Sequence, residues 1–175
     1  IYQILFRDDK LYVSARNGFW VLEPDTNEFE LLNNADLFLT FEIDSKDNVW
    51  LATRTNLFRI HLGTPEKIKR IEPDSPGIKC RITKILEGAD GLVYMTTLGG
   101  GLLTYDYVSD KWVAYTVENN NMLSNYCYNL AESPKGNLLI TSDKGLTVFS
   151  PLTKSVHSIE LGIKGGISAV ADGRP

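Results

Sequence analysis

Few side chains in this sequence of 175 residues have the type and spacing to do chemistry. His61 and His157 each stand alone, with no second residue at the spacing of a catalytic triad or metal pair. We expect both to be exposed residues of outer strands. Cys80 and Cys127 are 47 residues apart and form no CxxC pattern. Two buried strand cysteines fit better than a zinc or redox motif, and whether they form a disulfide stays open.

Three acidic residues recur along the chain at a similar place, namely Asp44, Glu87 and Glu132. A pair of carboxylates is the machinery of glycoside hydrolysis. A position shared by every repeat usually serves the scaffold, however, so we interpret these residues as hydrogen-bond acceptors at turns and strand ends. The same scaffold role is predicted for three recurring threonines, Thr53, Thr97 and Thr141.

The glycine run Gly99–Gly101 resembles a phosphate-binding loop only superficially, because it lies between two strand-like segments and no helix N-terminus follows it. We predict a hairpin turn with one extra residue. The sequence has no GxSxG, HExxH, P-loop or calcium-loop pattern. The residues therefore predict no catalytic group, no metal site and no cofactor.

A repeat of strand-like segments positions all of these residues. Four elements recur in the same order: a turn, an aromatic or large apolar residue, small hydroxyl residues and a Gly-apolar pair. The aromatic or large apolar position is occupied by Tyr12, Trp50, Tyr94 and Leu139. The spacings are 38, 44 and 45 residues, close to the period of propeller blades. The segments are rich in Val, Ile, Leu, Tyr, Phe and Thr, which suit half-buried pleated strands, and no segment predicts a helix.

The repeat predicts an all-β fold, a partial β-propeller of four-stranded antiparallel blades. The predicted blades cover 1–32, 33–72, 78–117 and 122–160, and an incomplete blade covers 163–175, where Ile167 to Asp172 repeats a first strand. Both ends fall inside the repeat, so we expect an excerpt of a longer protein. An open arc exposes apolar blade faces, which we expect to be covered by further blades of the parent chain or by a second copy in a homodimer.

The composition excludes some partners. Eighteen Lys and Arg against 22 Asp and Glu give a net charge of −4 and a pI near 5.2, which disfavours nucleic acid and anionic membrane surfaces. No apolar run approaches the length of a membrane-spanning helix.

Ligand binding in a propeller is expected on one face, where the loops entering each first strand meet the turns between second and third strands. These segments are rich in side chains that offer directional donors and acceptors, and a ring of such groups around a concave centre is a default binding site. The entering loops supply Asn34, Asp36, Lys79, Arg81, Asn121, Asn125 and Tyr126. The turns supply Arg16, Asn17, Arg54, Asn56, Asp143 and Lys144.

The repeat resembles the two-component regulator propeller repeat, most fully in Ile82–Thr97 with the Gly-Gly-Gly-Leu that follows, nearly as well in Phe41–Thr53, and again in Tyr126–Ser142. Those repeats form periplasmic sensor regions of hybrid two-component sensor histidine kinases, anchored in the inner membrane. The resemblance implies a non-enzymatic sensor of a glycan-derived ligand, whose kinase lies outside this chain. A propeller scaffold for protein–protein interaction and, more weakly, a propeller lyase or hydrolase are the alternatives.

Overall fold

The computed structural model describes residues 1–34, 36–71 and 80–162. Sheet 1 contains β1 (Gln3–Arg7), β2 (Lys10–Ala15), β3 (Gly18–Glu23) and β4 (Glu28–Asn33). Sheet 2 contains β5 (Thr40–Ile43), β6 (Asn48–Ala52), β7 (Leu57–His61) and β8 (Thr64–Ile71). Sheet 3 contains β9 (Arg81–Glu87), β10 (Val93–Leu98), β11 (Leu102–Asp106) and β12 (Lys111–Tyr115). Sheet 4 contains β13 (Cys127–Glu132), β14 (Leu138–Ser142), β15 (Gly145–Phe149) and β16 (Val156–Glu160).

Every sheet is an antiparallel meander in which each strand pairs with the next one in the sequence. The chain divides into two compact units, Ile1–Glu72 with sheets 1 and 2, and Pro73–Pro175 with sheets 3 and 4. The predicted first strand of a fifth blade, from Ile167, lies outside the described residues. The all-β prediction and its four four-stranded sheets are confirmed.

Each unit has its own apolar core between its two sheets. In the first unit Phe19 and Phe41, both fully buried, meet edge to face with ring centroids 5.0 Å apart. In the second unit Tyr115 and Phe149 make the same kind of contact at 4.7 Å. Aromatic pairs in this geometry add to the burial of apolar surface, so the second sheet of each unit is held against the first.

Side chains from one sheet also satisfy the backbone of the next sheet's first strand. The Gln3 amide donates to the Phe41 carbonyl at 2.8 Å and accepts from the Phe41 N–H at 3.1 Å. In the second unit the Thr83 hydroxyl donates to the Cys127 carbonyl at 2.9 Å. These strands are sheet edges, whose outward backbone groups need partners. A neighbouring side chain therefore takes the place of a fifth strand.

Asp44 is a fully buried acceptor at the end of β5. Its carboxylate accepts from the Trp50 indole N–H at 2.8 Å, and from the backbone N–H groups of Lys46 and Asn48 at 2.9 Å. The predicted role as a turn and strand-end acceptor is confirmed for this residue. The carboxylate joins the β5–β6 turn to Trp50, which occupies the recurring aromatic position in β6.

A hydroxyl closes the turn between the second and third strands in three sheets. Thr53 accepts from the Asn56 N–H at 3.0 Å, and Thr97 accepts from the Gly100 N–H at 2.9 Å. In sheet 4 this role belongs to Ser142, which accepts from the Gly145 N–H at 3.2 Å. Ser142 follows the recurring position Leu139 by three residues, as Thr53 and Thr97 follow Trp50 and Tyr94, whereas Thr141 is buried within β14 and does not close the turn.

Two other expectations differ from the structure. The sequence predicted no helix, yet Val117–Asn120 forms one helical turn, α1. Thr116 caps it by accepting from the Asn119 N–H, while the Asn119 side chain accepts from the Thr116 N–H, a capping box that can hold a single turn. Cys80 lies in a bend and is only partly buried, so the prediction of two buried strand cysteines holds for Cys127 alone. Both cysteines are free thiols.

The replacement Asp44→Asn should lower the free energy of unfolding by about 2–3 kcal/mol, because an amide NH₂ then faces buried N–H donors. The matched control is Asp47→Asn in the same turn. Asp47 is 53% exposed and its ion pair with Arg7 spans 2.9 Å, so we expect a loss of only about 0–1 kcal/mol. Urea denaturation measures both. Equal losses in the two variants would contradict the role assigned to Asp44.

Candidate ligand-binding site

In the second unit, five of the predicted site residues lie at one end of sheets 3 and 4. Arg81 opens β9 and pairs with Leu98, the last residue of β10. Leu98 also forms an antiparallel bridge with Tyr126. Asn125 precedes that bridge in the chain, and Asp143 and Lys144 form the β14–β15 turn. Since Cys127 pairs with Ser142, Tyr126 and Asp143 flank the same backbone pair.

The Gly99–Gly101 turn is a hairpin turn between β10 and β11, as predicted. The N–H groups of Gly99 and Gly101 both donate to the Asn125 carbonyl, at 2.9 and 3.0 Å. These two N–H groups are thus bonded to the neighbouring loop and do not point to a ligand. The turn fixes the backbone on which Tyr126 stands.

Asn125 is a positioning residue in this arrangement. Its side-chain oxygen accepts from the Val117 N–H at 2.8 Å, and its amide donates to both carboxylate oxygens of Glu118, at 3.2 and 3.0 Å. The Asn125 amide, with help from Thr116, lowers the pKa of Glu118. The side chain that the sequence offered as a ligand contact is therefore engaged within its own loop. Asn121, in the left-handed conformation, ends α1.

Asp143 carries an enclosed oxygen, Oδ1, that has no hydrogen-bond partner among the described residues, as do Asn120 Oδ1 and Thr141 Oγ1 in the same unit. The thiol of Cys127 lies close by: burial, and then the negative charge of Asp143, raise its pKa to about 12. An enclosed carboxylate oxygen without a donor is costly, and a hydroxyl or N–H of a ligand would supply one if the partly exposed Asp143 side chain rotates toward it.

The side chains around Asp143 suit a polyhydroxylated ligand. Tyr126 is 55% exposed and offers a flat, partly apolar ring. Arg81 and Lys144 are exposed and supply charged donors. A ring, a carboxylate and charged donors on one edge can stack on a sugar and bond its hydroxyls.

In the first unit, the predicted residues occupy the corresponding turns and loop of sheets 1 and 2. Arg16 and Asn17 form the β2–β3 turn, and both are exposed. Arg54 is exposed in the β6–β7 turn, while the backbone of Asn56 closes that turn by bonding Thr53.

The loop between β4 and β5 holds the other two first-unit residues. Asn34 is exposed there, and Asp36 accepts from the N–H of its neighbour Leu37 at 2.7 Å. The last of the thirteen, Lys79, lies outside the described residues. The set as a ligand site stays a prediction.

Both histidines are exposed, His61 at the end of β7 and His157 in β16, as predicted. The His61 ring accepts from the Gly63 N–H at 3.0 Å. Within residues 1–34, 36–71 and 80–162, no three His, Cys, Asp or Glu side chains group as a metal site would require. In that same part of the chain, no helix is long and apolar enough to cross a membrane.

Solved structures similar to this chain include extracellular domains of hybrid two component systems from B. thetaiotaomicron. BT4673 is 15% identical, with a TM-score of 0.73 over 93% of this chain and 22% of its own. BT3049 is 14% identical, with a TM-score of 0.73 over 98% of this chain and 23% of its own. This chain thus spans about a fifth of their length. They are of the type that the repeat resembles.

Virginiamycin B lyase from Staphylococcus aureus is similar as well, with 15% identity and a TM-score of 0.72 over 92% of this chain and 55% of its own. At such identities the likeness concerns the fold. The fold is a β-propeller, which confirms the prediction. No protein-family model and no curated protein matches the sequence.

The close approach of Gly101 to its neighbour yields a stability prediction. Gly101 has φ +72°, and a Cβ there would collide with the carbonyl oxygen of Tyr115. Gly91 has nearly the same φ, +76°, with open space around it. We expect Gly91→Ala to cost about 1 kcal/mol and Gly101→Ala about 3 kcal/mol or more in urea denaturation. Similar losses would show that the approach to Tyr115 is not tight.

The two thiols should differ in reactivity. With the pKa of Cys127 near 12, its thiolate fraction at pH 8 is about a thousandfold below that of an ordinary cysteine. A thiol-reactive dye at pH 8 should therefore label the partly exposed Cys80 first and Cys127 only after urea unfolds the chain. Cys80→Ser should remove the fast phase alone. Fast labelling of both thiols in the folded chain would contradict this.

Proposed function

We propose that this chain is part of the extracytoplasmic sensor region of a hybrid two-component signalling protein. In this proposal it binds a glycan-derived ligand in the periplasm and carries out no reaction itself. The parent protein is anchored in the inner membrane and passes the signal to a histidine kinase that is not in this chain. The resemblance of the repeats and the fold shared with extracellular domains of such systems support the proposal.

The observation that carries the ligand part of the proposal is the enclosed Oδ1 of Asp143 beside the exposed ring of Tyr126. Once the Asp143 side chain rotates outward, a sugar hydroxyl can donate to that oxygen while the apolar face of the sugar covers the ring. The aromatic ring alone would bind many apolar compounds. The carboxylate adds the directional contact that selects a hydroxylated one.

Signalling requires that the ligand bind one arrangement of the receptor more tightly than another. We propose a homodimeric receptor in which ligand binding at the turn end of the sheets biases the arrangement of the two copies. The turns are held by backbone bonds such as those from Gly99 and Gly101 to Asn125. A rigid binding edge can pass its displacement to the rest of the receptor.

The alternative favoured by a specific observation is a propeller lyase or hydrolase, because virginiamycin B lyase has a similar fold. A lyase needs a general base at the binding edge. His61 lies at the opposite end of its sheet from the β6–β7 turn. Asp143 is then the carboxylate that would take the role. The two proposals differ in whether the ligand is recovered unchanged.

A panel of oligosaccharides should contain a compound that raises the melting temperature of this chain. At a hundred times its Kd, a ligand adds about 2.7 kcal/mol, or roughly 5–10 °C for a chain of this size. The replacements Asp143→Asn and Tyr126→Ala should each remove most of that shift. The matched control is Leu152→Ala, at an exposed position in the β15–β16 turn, which should keep it.

Mass spectrometry of the bound compound after prolonged incubation separates sensor from enzyme. An unchanged compound agrees with the sensor proposal, and a cleaved or rearranged one supports the lyase or hydrolase. A panel without any stabilising member, or a shift that survives both site replacements, would count against the proposed site.

A further inference from the structure

The first unit shows how a cation can close the junction between two successive sheets. Arg7, at the end of β1, reaches across to sheet 2. Its Nη1 donates to the carbonyl oxygens of Ile43 and Asp44, at 3.2 and 2.7 Å, and its Nη2 donates to the Asp47 carboxylate at 2.9 Å. The guanidinium thus lies between the β1–β2 turn and the β5–β6 turn.

The equivalent position in the second unit has no side chain. The two positions are matched through strand pairing. Leu5 of β1 pairs with Tyr12, and Leu86 of β9 pairs with Tyr94. The matched position lies two residues after Leu5 and after Leu86. With Tyr12 in sheet 1 this residue is Arg7, and with Tyr94 in sheet 3 it is Gly88. The position that carries a guanidinium in one unit therefore carries no side chain in the other, and the Asp90 carboxylate and the Tyr94 ring lie close against Gly88.

A cavity of about 410 Å³ opens at this junction in the second unit. The β9–β10 turn contributes Ala89 and Asp90, and sheet 4 contributes Glu132 and Lys135. The apolar wall comes from the β15–β16 turn, with Pro151 and Leu152. The cavity lies at the end of the sheets opposite to Tyr126 and Asp143, so it is separate from the site proposed above.

Glu132 is the decisive group in the cavity. It is only 7% exposed, and its Oε1 accepts from the Ala89 N–H at 3.0 Å. Within the described residues, no donor pairs with its other carboxylate oxygen. A carboxylate buried to this degree is stable only when its oxygens find donors or a counter-charge. The second oxygen is therefore poised for a donor from outside the chain.

The neighbouring charges leave room for such a donor. Asp90 adds a second carboxylate, which is itself oriented by the Tyr94 hydroxyl at 2.7 Å and the Leu92 N–H at 3.2 Å. Lys135 is exposed and forms no ion pair with any residue that the structure describes. Two negative charges against one solvated positive charge leave the cavity favourable to a cation.

We propose that this cavity binds an alkyl-guanidinium group. A guanidinium presents parallel N–H donors that match a carboxylate, and it is less strongly hydrated than an ammonium. Its alkyl stem would lie against Pro151 and Leu152. The first unit carries the same chemistry within the chain, where Arg7 bonds two carbonyls and a carboxylate at the corresponding junction. The group belongs to a small free compound or to an arginine side chain of a peptide.

Titration of the ¹⁵N-labelled chain with N-butylguanidinium, followed by NMR, tests the proposal. We expect a saturable shift of the Ala89 amide, because its acceptor Glu132 binds the ligand. Glu132→Gln keeps an oxygen for that amide and should weaken binding at least about tenfold, since a charge-assisted bond is replaced by a neutral one. Lys135→Met should tighten binding severalfold by removing the competing cation. N-Butylurea, a neutral isostere, should not bind.

N-Acetylarginine amide, titrated in parallel, separates the two sources. Tighter binding than that of N-butylguanidinium assigns the group to a peptide, and weaker binding assigns it to a free compound. Unchanged amide positions away from the junction confirm that each variant is folded. The proposal is overturned if the Ala89 shift does not saturate, if Glu132→Gln binds as tightly as the parent chain, or if N-butylurea binds as well as the guanidinium. None of these results bears on the oligosaccharide site.

Discussion

The outward backbone groups of each sheet's first strand have no partner in their own sheet, and satisfying them is the constraint on which the rest of this structure depends. In each unit the preceding sheet supplies the partners, through Gln3 on Phe41 in the first and through Thr83 on Cys127 in the second. The Gln3 amide engages both backbone groups of Phe41, as a residue of a paired strand would. A single sheet would leave these groups to water and expose an apolar face, so the sheets are stable as neighbours rather than alone.

The same constraint explains why the turn end of the second unit can serve as a binding edge. The Leu98–Tyr126 bridge and the bonds of Gly99 and Gly101 to Asn125 join the two sheets through backbone atoms. Because the backbone holds the edge together, the side chains of Tyr126 and Asp143 are available to the ligand proposed above. Backbone atoms of these residues thus hold the sheets together, while their side chains form the proposed site. Ligand binding would therefore not break the hydrogen bonds that hold the fold.

The spacing of the recurring aromatic residue predicted the fold well, because the strand pattern and the tight turns depend on local sequence. The exposed histidines and the Gly99–Gly101 hairpin followed from the same pattern. Side-chain roles near the turns were harder to predict. Asp44 and Glu132 look alike in the sequence, but Ser133 is the residue that matches Asp44 in the structure. The Asp44 N–H donates to the Asn48 carbonyl, and the Ser133 N–H donates to the Asn137 carbonyl in the same way. Glu132 therefore sits one position earlier than Asp44 and faces the neighbouring sheet. The hydroxyl that closes the turn in sheet 4 could have been found from the sequence, because counting three positions from Leu139 reaches Ser142 rather than Thr141.

A repeat fold leaves its junctions free to differ once the strands and turns are satisfied. Arg7 in one unit and Gly88 in the other occupy one position of the repeat, but the turns that follow them differ: Arg7 pairs with Lys10 across Asp8 and Asp9, whereas Gly88 bonds Leu92 across Ala89–Gly91. The absence of the arginine from the second unit is accompanied by this longer turn, and by a buried glutamate, Glu132, that is bonded to it. In such a protein, new binding chemistry is expected where the repeats differ, because every position that they share is already occupied with holding the sheets together.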